Sequence, residues 1–310
     1  MKRLAEWLTV RPARGFLGAL LLALLSLVAL PALAWAPAAI VVLALLATGP
    51  AAAAIAALGA ALPIVWGFSP AIGLAGGLVL AAALLVPAYL SGTALVSTRS
   101  LSFAFQAATM AACGLVLLLR LVFGDPLGVL MPMLDTVRPA LEETARVLAR
   151  LGVERTPEEI GAASARVAWA TGAWVLLLHT MMSLFAGLWA FGAMREPGLL
   201  GKQFRALRLG TLAAWVAAAA LAAGFVTQLA SGQAWQPAED ILFVLAGAFL
   251  IQAFAVVHGL RGAGVIGSAL VGVAYAALLV APMALVGFGF ADTWVRFRER
   301  FGAGRGPSQG

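Results

Sequence analysis

The sequence predicts an all-α, polytopic helical membrane protein of about nine or ten transmembrane helices, with one amphipathic insert outside the membrane. Three observations carry that reading. Hydrophobic residues make up 63 % of the 310 and charged residues only 11 %, against about 25 % charged in a soluble domain. Mean hydropathy is +1.01, more apolar surface than a chain of this size can hide in its own core, so lipid must be the solvent for most of it. Apolar runs near spanning length also recur along the whole chain, separated by glycine, proline and short charged stretches. Residues 1–310 read as one integral membrane domain, with 124–166 as the insert within it.

Composition also excludes. The single cysteine, Cys113, allows neither an internal disulfide nor a CxxC metal site. The net charge is +7, but the cations sit at segment ends rather than on one soluble face. That pattern fits anionic lipid headgroups and the positive-inside rule, and no nucleic-acid partner is expected.

The elements follow in order. A basic, amphipathic start, MKRLAEWLTVRPARG, leads into an apolar run from Phe16 to Ala34. Ala32-Leu33-Ala34 has the A-x-A form of a signal cleavage site, but the run is longer than a signal core, so an uncleaved first helix is expected. Three helices are read near 37–48, 51–67 and 71–91, punctuated by Gly49-Pro50 and Ser69-Pro70. The first is too short to span untilted. Gly73 and Gly77 make a GxxxG, a weak sign of a close-packing face.

A fifth segment covers about 101–123 and holds Gln106 and Arg120, whose stem is expected to snorkel to the interface near Asp125. In the insert, Pro139 to Leu151 reads as an amphipathic helix stopped by Gly152. Thr156-Pro157-Glu158-Glu159 is a helix start with a capping box, expected to run on into a sixth span at 167–193. That span carries His179, Thr180 and Ser183. Spans at about 209–231, 241–260 and 264–280 follow, with Trp235 at an interface, Gln252 mid-span, and Gly264, Ser268 and Gly272 as a small-residue row. The last stretch, 281–301, is the one apolar segment with a carboxylate, Asp292. It closes on Arg296, Arg298 and Arg300. Asp292 and Arg296 are spaced i, i+4 and are expected to pair at the membrane boundary.

Charge sets the expected orientation. With ten segments and a cytoplasmic N-terminus, 14 of the 20 basic residues fall on the cytoplasmic side. The positive-inside rule favours this over the even division that nine segments give. Both termini are then cytoplasmic, in a bacterial inner membrane, with the insert periplasmic.

The order of segments, the Gln-x-x-Ala-Val-Val-His stretch at 252–258 and the ending Gly-Phe-Ala-Asp-Thr-Trp-Val-Arg-Phe-Arg-Glu-Arg at 289–300 resemble the YybS-like family of integral membrane proteins. That family typically ends in Gly-x-x-Asp-x-x-x-x-Phe-Arg-Lys. This chain keeps Gly289, Asp292, Phe297 and Arg298 and has Glu299 where lysine is usual. No function is established for the family. Its early spans look like the membrane substrate-binding subunits of energy-coupling-factor transporters, and that distant similarity implies transport. No ligand motif of those subunits is matched here.

Enzyme signatures are absent: there is no Walker A, HExxH or GxSxG, and two histidines, His179 and His258, cannot build a multi-histidine zinc site. An enzyme is not expected, nor a cofactor or metal. The leading expectation is a small-molecule transporter or its substrate-binding subunit, with His179, Gln106, Gln252, Thr180 and Ser183 along the substrate path. The alternative is a membrane scaffold or assembly factor that binds another membrane protein. Its signature would be those same groups packed dry, each in an interhelical hydrogen bond of about 0.6 kcal/mol. Besides the bilayer, a small-molecule substrate and a membrane or cytoplasmic energising partner are expected. Lys202, Arg205 and Arg208 form the candidate docking surface for that partner or for lipid.

Overall fold

The computed structural model describes residues 2–28, 33–130, 134–232, 235–260 and 265–302, and among them it is helical with no strand. The helices are α1 (Lys2–Val10), α2 (Pro12–Val28), α3 (Ala36–Ala47), α4 (Pro50–Thr98), α5 (Leu101–Phe123), α6 (Pro126–Leu130), α7 (Leu134–Arg150), α8 (Pro157–Arg166), α9 (Ala168–Arg195), α10 (Leu199–Arg205), α11 (Gly210–Ser231), α12 (Gln236–Leu260), α13 (Val265–Val280), α14 (Pro282–Val295) and α15 (Phe297–Gly302).

Each of the ten apolar segments read from the sequence forms helix over most of its described residues. Among the described residues five helices, α4, α5, α9, α11 and α12, are long and apolar enough to cross a membrane; α1 and α2, bent by 118° to each other, would add a sixth if the pair is one span. The remaining segments form α2, α3, α13 and α14, of 17, 12, 16 and 14 residues, each short of the ~20 residues of a full span. The all-α polytopic class therefore holds, with fewer helices of full spanning length than the ten segments suggested. The stretch 264–297 resolves into two short helices broken at Ala281. Ala32, Arg261, Gly264, Arg305 and the side chain of Ser268 lie outside the described residues, and with them the cleavage motif and part of the small-residue row.

The short α3 is accommodated by burial: ten of its twelve residues are buried. Gly187 of α9 lets α3 approach, since a Cβ there would meet the Val42 side chain at 2.6 Å. α4 runs through Pro63, Pro70 and Pro87 and loses helical geometry at Gly73, with φ 75° and ψ 166°. The sequence placed this break at Ser69-Pro70. A proline strains the turn before it without ending it, whereas this backbone conformation needs a residue with no Cβ. At Gly73 the chain doubles back. A Cβ on Gly77 would lie 3.0 Å from the Val65 carbonyl, although twelve residues of straight helix would separate them by about 18 Å. The GxxxG is therefore a hinge at Gly73 and, at Gly77, a close approach between the two arms of α4.

In the insert, Thr156 caps α8. Its Oγ1 accepts the Glu159 N–H at 3.2 Å, while Glu159 Oε2 accepts the Thr156 N–H at 3.1 Å. α8 stops at Arg166 and does not run on, because the helix breaks at Val167 before α9 begins.

Contacts group the chain into two units. One comprises Met1–Met110, Leu176–Trp215 and Ala246–Gly310; the other comprises Ala111–Val175 and Val216–Leu245. Within the second unit, Arg120 does not snorkel toward Asp125. Its Nε donates to Asp240 Oδ2 at 2.7 Å and its Nη2 to the Arg166 carbonyl at 3.5 Å. Asp125 instead accepts the Leu127 N–H at the start of α6. Within the first unit, Ala253 and Val257 of α12 pack with Ala274 of α13 and Leu285 of α14. Gly289 brings α14 onto α12 so closely that any Cβ would run into the Phe249 carbonyl.

Candidate functional site

Between α10 and α11 the chain leaves helical geometry over residues 206–209, yet Leu207 and Leu209 are buried. Irregular backbone in an apolar setting is tolerated only where protein groups satisfy it. Here side chains do so almost residue by residue. Ser102 Oγ donates to the Ala206 carbonyl at 3.2 Å and accepts the Arg208 N–H at 3.0 Å. Gln106 Nε2 donates to the Arg208 carbonyl at 3.2 Å. Gln252 Oε1 accepts the Leu209 N–H at 2.6 Å while its Nε2 donates to the Gly289 carbonyl at 2.8 Å. Arg298 Nη1 donates to the carbonyls of Arg205 at 2.7 Å and Leu207 at 2.9 Å.

Arg298 is itself fixed by Asp292, whose Oδ2 accepts its Nη2 at 2.7 Å, while Oδ1 accepts the Phe297 N–H at 3.0 Å. This corrects the expected Asp292–Arg296 pair. Arg296 ends α14 in the left-handed conformation, with φ 54°, so the i, i+4 register of a continuous helix is lost at that residue. Its side chain points to solvent and meets Glu299 at 3.6 Å. Two residues later, in α15, Arg298 returns to the carboxylate.

The expected substrate path divides. Gln106 and Gln252 come together at the 206–209 strap, both hydrogen-bonded to its backbone. His179, Thr180 and Ser183 lie elsewhere in the unit: Ser183 Oγ contacts the carbonyls of His179 at 2.8 Å and Trp35 at 3.0 Å. His179 is buried with no hydrogen-bond partner for its Nε2. Of the expected docking residues, Lys202 is exposed and 3.8 Å from Glu196, whereas Arg208 is engaged with Glu299 at 2.8 Å. That bond holds the Glu299 carboxyl below its usual range. Glu299 stands in α15, past the last apolar helix.

A cleft of about 570 Å³ opens beside the strap, walled by Phe185, Trp189 and Gly192 of α9, the turn Pro197-Gly198, the face of α10 from Leu199 to Phe204, and His258 of α12. Its volume falls in the range of small-molecule sites, about 300–1,000 Å³. Phe204 stands edge-on to Phe185 at 5.5 Å and to His258 at 5.7 Å. His258 Nδ1 lies 2.9 Å from the Phe254 carbonyl, which can only accept, so Nδ1 carries the proton and Nε2 remains for another partner. Among the described residues no three His, Cys, Asp or Glu side chains gather to hold a metal.

Sequence reasoning missed Ser102 and the cleft aromatics. Phe185 and Trp189 are spaced i, i+4, which puts them on one face, but inside an apolar helix that spacing is indistinguishable from lipid contact. Compared with known protein families, with curated proteins and with solved structures, the chain has no match.

Proposed function

We propose that the protein is the small-molecule-binding component of a membrane transport system, either the transporter or its substrate-binding subunit, and that the cleft between α9, α10 and His258 is its site. The observation that carries this is the cleft itself: ligand-sized, aromatic, and furnished with one imidazole whose Nε2 is left for a partner. The resemblance of the 252–258 and 289–300 segments to the YybS-like family, and the placing of the chain in a bacterial inner membrane with a cytoplasmic N-terminus, belong to the same proposal. The site moves from His179 to His258, because Gln106 and Gln252 hold backbone and the polar atoms around Ser183 are directed at carbonyls.

The test is native mass spectrometry of the detergent-purified protein. A co-purifying metabolite, lost in Trp189→Ala and His258→Ala but kept in His179→Ala, supports the proposal. A metabolite lost only in His179→Ala overturns the assignment of the site. The scaffold reading is favoured by the dry packing of Gln252, which is wholly buried. Recovery of a stoichiometric membrane-protein partner with no bound metabolite would establish it instead.

A further inference from the structure

We infer that the cleft takes an aromatic organic anion, its ring among Phe185, Trp189 and Phe204 and its acid group at a cationic rim that includes Arg205. The inference rests on the cleft being a ligand site, as proposed above, and adds the chemical class. Phe185 and Phe204 touch edge to face, 5.5 Å between centroids, and with Trp189 they give the cleft an aromatic wall, against which a flat π-system gains contacts beyond area burial alone.

The rim supplies the sign. Gly201 lines the cleft, and the Arg205 Nη1 lies 3.5 Å from where a Cβ on Gly201 would stand, so the guanidinium lies over the cleft wall. Residues 195–205 carry three cations, Arg195, Lys202 and Arg205, against one acid, Glu196. Glu196 is turned to solvent and meets Lys202 at 3.8 Å. The neighbouring arginines are already neutralised, Arg208 by Glu299 and Arg298 by Asp292. Arg195 and Arg205 have no ion pair among the described residues. An unpaired guanidinium beside an apolar pocket prefers a carboxylate, which its fork can bind with two hydrogen bonds. A cationic or neutral ring compound would leave that charge uncompensated.

Three matched probes test this: 2-naphthoate, 2-naphthylmethanol and 2-naphthylmethylammonium. They are titrated calorimetrically into the protein in phosphatidylcholine nanodiscs, with empty nanodiscs as blank. The expected result is about tenfold tighter binding of the carboxylate than of either analogue. Arg205→Gln, an exposed change that leaves folding intact, should remove most of that preference while binding the alcohol as before; Trp189→Ala should abolish binding of all three. Equal affinities for the three probes, all lost in Trp189→Ala, would overturn the anion class and leave the cleft as a ligand site. Binding indifferent to Trp189→Ala, or no binding, would overturn both. Loss of naphthoate binding when phosphatidylglycerol replaces phosphatidylcholine would show that the rim holds a lipid headgroup, and would overturn the small-molecule class.

Discussion

Asp240 and Asp292 are both almost wholly buried, and each meets an arginine at 2.7 Å, yet they hold different things. The Asp240–Arg120 pair joins residues 120 apart in sequence and ties α12 to α5. Apart from one long bond to the Arg166 carbonyl, the pair is self-contained among the described residues. Asp292 and Arg298 are six residues apart and could have been a local cap. Instead the arginine's other arm reaches the carbonyls of Arg205 and Leu207, more than ninety residues earlier in the chain. In one unit a buried charge is balanced by its counter-charge. In the other the balanced pair is a tool for satisfying irregular backbone. The energetic cost of removing each should therefore differ in a way the two distances alone would not suggest.

The largest effects come from breaking the pairs. Asp292→Ala and Asp240→Ala each strand a buried guanidinium, and each should lower unfolding free energy by about 3–5 kcal/mol, read as loss of thermal stability in nanodiscs. Replacing both partners separates the two cases. Arg120→Met with Asp240→Leu should regain most of the stability, since a buried pair exchanged for apolar groups of similar volume is often neutral or better. Arg298→Met with Asp292→Leu should not, because the Leu207 carbonyl of the strap is left without a donor, at about 1–3 kcal/mol, and the Arg205 carbonyl loses its bond as well. Equal recovery in the two double variants would remove the distinction drawn here.

Next in size is Gly289→Ala, which pushes a methyl into the Phe249 carbonyl and should cost about 1–3 kcal/mol. A similar loss is expected for Gln252→Leu, which strips the Leu209 N–H and the Gly289 carbonyl of their partner, again about 1–3 kcal/mol each when left unsatisfied. Hydrogen exchange of residues 206–211 should accelerate in Gln252→Leu and stay unchanged in Asp240→Ala. A smaller effect, about 1 kcal/mol, is expected from Thr156→Ala, which removes the cap of α8.

The mildest prediction concerns pH. The Arg208 bond depresses the Glu299 carboxyl in the folded protein, so its contribution is present above the usual carboxylate range and lost as pH falls through the lowered value. Wild type should lose more stability than Glu299→Gln on acidification. Because Glu299 is exposed, the difference should shrink with added salt.

How much of this was legible follows from the range of the signals. The Thr156–Glu159 box and the stop at Gly152 are local, and local patterns of capping can be read residue by residue. The apolar segments were legible as helices because lipid imposes one solution on an apolar run. The wrong partner for Asp292 came from assuming unbroken helix through Arg296, where a single left-handed residue resets which side chain returns. Nothing in the neighbourhood of Asp240 announces an arginine 120 residues earlier. Gln106 and Gln252 stand out in the sequence as polar groups inside apolar segments, but a glutamine that holds a backbone strap and one that lines a path are the same residue in sequence. The cleft depends on where α10 lies, and a helix of seven residues has too little periodicity to announce itself.

The strap has a consequence for the order in which the protein is made. When residues 205–209 leave the ribosome, Ser102 and Gln106 already exist, but Gln252 is 43 residues away and Arg298 more than ninety. At about 5–20 residues per second the carbonyls of Arg205 and Leu207 wait several seconds for their donor. Through that interval water or the insertion machinery must serve them, and α10 cannot settle as the wall of the cleft. A nascent chain stalled before Arg298 would thus hold its long helices in place with the cleft unformed, so the cleft is among the last features of biogenesis to close.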